Sequence, residues 1–246
     1  MLGEAKARVL VVSVDGLVPG ALKRLGRAGA PNFHRLKRQG AYTLNARTQV
    51  EMTTTLPNHT SMVTGRRISR KHRGHGVTWN YHRPGSTVQK AAGHPVASIF
   101  SVLRNAGMNV ALFAAKQRFS LFRRSWPAIN RVTIREENDL ALTRAARSDL
   151  IRRSREFTFL HLAGPDHTRL ANYRVPFMVW GPGVSHANLY DLNPAYRSPG
   201  TRRVRFSGKQ PIRNGDVANF SADLLGVGPV PDSLWDAQQK LRANGG

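Results

Sequence analysis

Three threonines, Thr53-Thr54-Thr55, run into Leu56-Pro57-Asn58-His59-Thr60-Ser61-Met62-Val63-Thr64-Gly65. Proline cannot continue a strand but suits the first turn of a helix, so the hydroxyls are expected on a loop at a helix N-terminus. Such a terminus offers backbone N–H groups and the positive end of the helix dipole to a phosphate. Asn58, one helical turn on from Thr55, can donate its side-chain amide to the same oxygens. A threonine hydroxyl is a weak nucleophile at its own pKa and needs a base or a metal to ionise it. The alternative reading of the stretch is an ordinary Ser/Thr-rich helix cap.

A metal would have few ligands to choose from. Cysteine is absent, which removes disulfides and thiolate sites, and only 14 acidic residues stand among 246. One acidic residue is well placed. Arg8-Val9-Leu10-Val11-Val12-Ser13-Val14 reads as a strand buried on both faces, and it ends at Asp15-Gly16. A carboxylate at the carboxyl end of the first buried strand of an α/β sheet lies where such sheets bind ligands, although a turn aspartate would look the same.

The elements that must carry these residues alternate. Helices are expected over 19–26 and 31–39, each opened by proline and closed near glycine, and a strand over 41–49 delivers the chain to the threonines. A short helix follows over 57–64. Further helices are expected over 95–105, 137–155 and 216–225, with strands over 108–115, 157–162 and 173–180. Residues 194–213 read as a polar surface excursion, and the stretch from about 227 as a loosely held tail. The pattern is that of a single doubly wound α/β domain, 1–246, with a mostly parallel sheet flanked by helices.

Composition bounds the function. The hydrophobic content of 40% suits one large domain or a compact pair, and no segment has the apolar length of a membrane span. Met1 to Arg8 has no apolar signal core, so the chain as written reads as cytoplasmic. The net charge of +24 could attract nucleic acid, but the basic residues are scattered and only Arg66-Arg67-Ile68-Ser69-Arg70-Lys71-His72-Arg73 is dense. Recognition-helix, zinc-finger and RNA-binding signatures are missing, so no specific nucleic-acid recognition is expected. His72 and His75 could line the anion site or lie solvated in their loop.

Several motifs in order resemble one family. They are Val11-Val12-Ser13-Val14-Asp15-Gly16, Ala30-Pro31-Asn32-Phe33, Thr55-Leu56-Pro57-Asn58-His59 with Val63-Thr64-Gly65, His75-Gly76-Val77, His161-Leu162-Ala163-Gly164-Pro165-Asp166, and Asn172-Tyr173-Arg174-Val175-Pro176-Phe177. Together they look like the type I phosphodiesterase/nucleotide pyrophosphatase family of the alkaline phosphatase superfamily. The resemblance implies an alkaline phosphatase-like fold, a phosphate-ester or nucleotide substrate, and a two-metal, usually zinc, centre. It further implies that Thr55 is the nucleophile and forms a phospho-threonine. Asn58 would then be a phosphate donor, Asp15 and Thr55 ligands of one metal, and Asp166 and His167 ligands of the other. Two metals would clamp the attacking and leaving oxygens of an in-line displacement.

One departure stands out. In the family, several tens of residues separate the Gly-Pro-Asp motif from the histidine before the next matched strand, and they carry further ligands. Here Asp166 and His167 are adjacent, as though that interval were deleted, which would remove a strand and its crossover helices. Each metal then keeps too few ligands; His59, His72, His75 or His161 could be recruited, but nothing in their spacing argues for it. Three functional classes remain: a metal-dependent phosphate-ester hydrolase, an impaired remnant that binds phosphorylated ligands without turnover, and a basic nucleic-acid-binding protein. The oligomeric state stays open.

Overall fold

The computed structural model describes residues 7–164, 173–234 and 240–245. Its strands are β1 (Val9–Val14), β2 (Ala41–Arg47), β3 (Val110–Ala114), β4 (Arg131–Ile134), β5 (Phe157–Leu162) and β6 (Arg174–Val179). Its helices are α1 (Pro19–Gly29), α2 (Pro31–Gln39), α3 (Thr55–Thr64), α4 (Val88–Ala92), α5 (Ile99–Asn105), α6 (Ser120–Ser125), α7 (Asp139–Arg152), α8 (Leu189–Leu192) and α9 (Asp216–Leu224).

The main sheet is parallel, in the order β1-β5-β3-β4. β3 is buried along its whole length, as an inner strand covered by helices must be. One face carries the larger core, where Phe100, Phe122, Trp126, Phe157 and Phe159 pack with α3, α5 and α9. On the other face α7 covers β3 and β5 through Leu142 and Ala146 against Phe113 and Leu160. β1 at the edge is less protected, with Leu10 and Val12 about half exposed.

Two expected members of the sheet stand apart from it. β2 and β6 form their own antiparallel pair, and β6 is half-buried rather than buried on both faces. Their core joins Ala41 and Ala46 to Leu189, Tyr196, Ile212 and Phe220. The excursion over 194–213 therefore ends inside the protein, with Tyr196, Ile212 and Arg213 all buried. Beyond Gly226, where the composition reads as a loose tail, the described residues pack. Val230 is buried, Leu234 N donates to Gly65 O, and Leu241 and Ala243 are covered.

Candidate active site

The site begins with α3. The helix starts at Thr55 itself, two residues earlier than proline alone suggests, so Thr55 occupies its first turn. Every residue of α3 but Met62 is buried. It ends at Gly65 in the left-handed region, φ 64°, where a Cβ would come within 2.7 Å of Ser233 Cβ. Behind the helix, His75 is fully buried with its Nε2 3.0 Å from Ser61 Oγ, so it supports α3 rather than lining an anion site. Exposed His72 lies in the following turn.

Asn58 holds the threonine loop to this helix. Its amide donates to Met52 O at 2.7 Å and Thr54 O at 3.0 Å. Its Oδ1 accepts from Gln49 N at 2.9 Å and Asn214 Nδ2 at 3.0 Å. The amide expected to face phosphate is thus engaged within the protein. At the helix N-terminus, Thr54 makes no cap hydrogen bond and Asn80 Oδ1 accepts from Leu56 N at 2.9 Å. Thr54 Oγ1 is buried without a partner, an unusual state for a hydroxyl.

Three neighbouring strands aim their carboxyl ends at Thr55. Asp15 follows β1, His161 is the penultimate residue of β5, and Lys116 lies two residues past β3. All three meet at one atom, Asp15 Oδ2. It accepts from Thr55 Oγ1 at 2.9 Å, Lys116 Nζ at 2.8 Å and His161 Nε2 at 3.1 Å. Burial pushes the Asp15 carboxyl pKa up, but the hydrogen bond from His161, the electrostatic pull of the neighbouring His59 and His161 when they are protonated, and the Lys116 hydrogen bond outweigh it. The carboxyl is held well below the usual carboxylate range.

His59, one turn on from Thr55 along α3, completes the cluster. Its Nδ1 lies 2.8 Å from Thr55 O, which can only accept, so Nδ1 carries the proton and Nε2 a lone pair. Ser13 Oγ donates to that lone pair at 2.8 Å. Burial lowers the His59 pKa to about 4, so the ring is neutral at pH 7. His161 has the opposite tautomer, since Ala115 N–H approaches its Nδ1 at 3.4 Å and Nε2 faces the Asp15 carboxylate. The rings of His59, Phe119 and His161 pack edge to face or tilted, with centroids 4.3 to 5.1 Å apart.

A hydroxyl held by a carboxylate at a helix N-terminus, with one imidazole on that helix and another at the carboxyl end of a parallel strand, can receive an anion and hold a metal beside an oxygen nucleophile. The chain belongs to the type I phosphodiesterase/nucleotide pyrophosphatase family, whose sequence profile matches residues 9–169. Among curated proteins, none matches in sequence.

Among solved structures, phosphonoacetate hydrolase from Sinorhizobium meliloti 1021 is 20% identical, with a TM-score of 0.49, over 68% of this chain and 48% of that one. An inactive form of murine ectonucleotide pyrophosphatase/phosphodiesterase 5, in complex with AMP, is 20% identical, with a TM-score of 0.46, over 66% of this chain and 44% of that one. The lipoteichoic acid synthase LtaP from Listeria monocytogenes is 13% identical, with a TM-score of 0.48, over 68% of this chain and 43% of that one. The chain therefore covers less than half the length of each.

The donor set fits one divalent ion. Asp15, His59 and His161 each offer a ligand atom, all within 4.8 Å of one another, and one carboxylate with two imidazoles is a common catalytic zinc set. His59 Nε2 carries a lone pair that Ser13 Oγ must release, whereas His161 must first move its Nε2 proton to Nδ1. Asp166 and His167, expected on a second metal, lie outside the described residues. Sequence reasoning missed Lys116, and it named His59 and His161 only as spare histidines that no spacing assigned to the site. Helical spacing alone places His59 on the same face as Thr55. The other two depend on the order of the strands.

Proposed function

We propose that the protein is a metal-dependent hydrolase of phosphate esters, with Thr55 as nucleophile. The observation that supports this most is the Thr55 hydroxyl directed at Asp15 at the N-terminus of a buried helix, with His59 and His161 beside it. In this reading Thr55 Oγ attacks phosphorus, the departing alcohol or phosphate takes up the hydroxyl proton, and the adduct left on Thr55, a phosphodiester that keeps the substrate's other ester group, is then hydrolysed by water. Asp15, His59 and His161 would hold one divalent ion, and the family resemblance gives Asp166 and His167 to a second. Bound metal would supply Lewis acidity, which lowers the pKa of an oxygen nucleophile.

The chain's own residues do the rest. At the α3 N-terminus Leu56 N–H is taken by Asn80, Pro57 has none and Asn58 N–H bonds Thr54 O, which leaves Thr55 N–H as the backbone donor to phosphate oxygens. Asn58 fixes the loop, and reaches a phosphate only by giving up the carbonyl of Met52 or Thr54. The substrate class is a phosphodiester or nucleotide pyrophosphate, as the family's description suggests.

The test is hydrolysis of bis(p-nitrophenyl) phosphate with added zinc, before and after chelation. Turnover that needs metal, is abolished in Thr55→Ala and is partly kept in Thr55→Ser supports the reading. Saturable phosphate binding with no turnover in any metal supports the impaired remnant instead. Turnover that persists in Thr55→Ala overturns the assignment of the nucleophile.

A further inference from the structure

The chain carries a concave surface whose lining shares no residue with the cluster around Asp15. It is a cleft of about 940 Å³ between α1, α2 and the β2-β6 pair. Four cations line it, Lys23 and Arg24 from α1, Lys37 from α2 and Arg174 from β6. Among the described residues, no carboxylate pairs with any of them. Two are held in place by other means. Arg174 Nε donates to Leu44 O at 3.0 Å, and Lys37 Nζ sits 5.0 Å from the centre of the Tyr42 ring.

The walls between these charges are apolar. Leu22, Phe33, Leu44 and Met178 contribute them from all four elements. His34 also lines the cleft, and its Nε2 is buried with no hydrogen-bond partner. A phosphate ion alone would leave those walls wet, and an uncharged alkyl chain would leave four ammonium and guanidinium groups unneutralised. A ligand with both parts satisfies both.

We propose that this cleft binds an anionic amphiphile, a single aliphatic chain ending in a phosphate or carboxylate head. The head lies among Lys23, Lys37 and Arg174, and the chain lies along Phe33, Leu44 and Met178. The proposal uses neither Thr55 nor Asp15, so it stands independently of the hydrolase reading.

Calorimetric titration of the full chain with sub-micellar dodecyl phosphate and, separately, laurate tests it. Saturable one-to-one binding is expected, with the tighter of the two naming the head group. Inorganic phosphate and dodecyl maltoside, each lacking one half of the ligand, should bind at least tenfold more weakly. Lys37→Gln with Arg174→Gln should weaken binding at least tenfold, and so should Met178→Gln, which keeps every charge. Circular dichroism checks that each variant is folded. Arg144→Gln with Arg147→Gln, exposed on α7, removes the same charge elsewhere and should change nothing. An equal loss in that control, dodecyl maltoside binding as tightly as dodecyl phosphate, or the absence of saturable binding overturns the proposal.

Discussion

Lys116→Met should strengthen metal binding. The Lys116 ammonium lies 2.8 Å from Asp15 Oδ2, with the two side chains only 8% and 9% exposed. At an effective dielectric of about 20, unit charges at that separation attract by about 6 kcal/mol. Desolvation cancels a good part of this in any buried pair. A divalent ion on Asp15, His59 and His161 must take the carboxylate from the ammonium and then lie beside it. If a quarter to a half of the Coulomb figure survives, the contest costs the metal about 1.5 to 3 kcal/mol, or roughly 10- to 100-fold in affinity. Calorimetric titration with zinc should therefore find Lys116→Met tighter than the natural chain by that factor, and Lys116→Arg no tighter. Unchanged or weaker affinity in the methionine variant refutes the idea that Lys116 holds the metal's place.

Two further predictions concern stability. Burial lowers His59 to about 4 and His75 to about 3, below the ~6.5 of an unfolded histidine, so their stabilisation is complete above pH 6.5 and is lost as pH falls towards 4. Asp216, raised by burial to about 7, acts in the opposite direction between about pH 4 and 7, but its shift is smaller than the two histidine shifts together. Chelator-treated protein should thus melt several degrees lower at pH 4.5 than at pH 7, and a melting temperature highest at pH 4.5 would contradict this. Gly65→Ala places a Cβ 2.7 Å from Ser233 Cβ at φ 64°, and should cost about 1 to 3 kcal/mol in urea unfolding. An unchanged midpoint would show that α3 and the 230–234 segment separate freely.

Much of the site could be read from the chain because its signals are local. The β-branched run of β1 ends at Asp15, proline and glycine punctuate α1 and α2, and the threonine loop precedes α3. What stayed hidden depends on which strands are neighbours. His161 reaches Asp15 because β5 pairs with β1 in a register that sets Ser13 beside His161. Lys116 arrives only because β3 is next to β5. The antiparallel partnership of β2 and β6 joins segments about 130 residues apart and leaves no periodic trace in either. β4 is four residues long and begins with an exposed arginine, too short for alternation to register. Asn58 shows a different limit. Its residue type announces a donor, but only the packed structure shows that its amide is spent on Met52 and Thr54.

The most direct test of Thr55 as a metal-assisted nucleophile is mass spectrometry of protein quenched during turnover of a phosphodiester in zinc. An adduct on the peptide containing Thr55 with the mass of the phosphoryl group and the ester group it retains, present in the natural chain and absent after chelation and in Asp15→Ala, is the predicted result. Turnover with that peptide unmodified, or with the phosphoryl group on another residue, would contradict it.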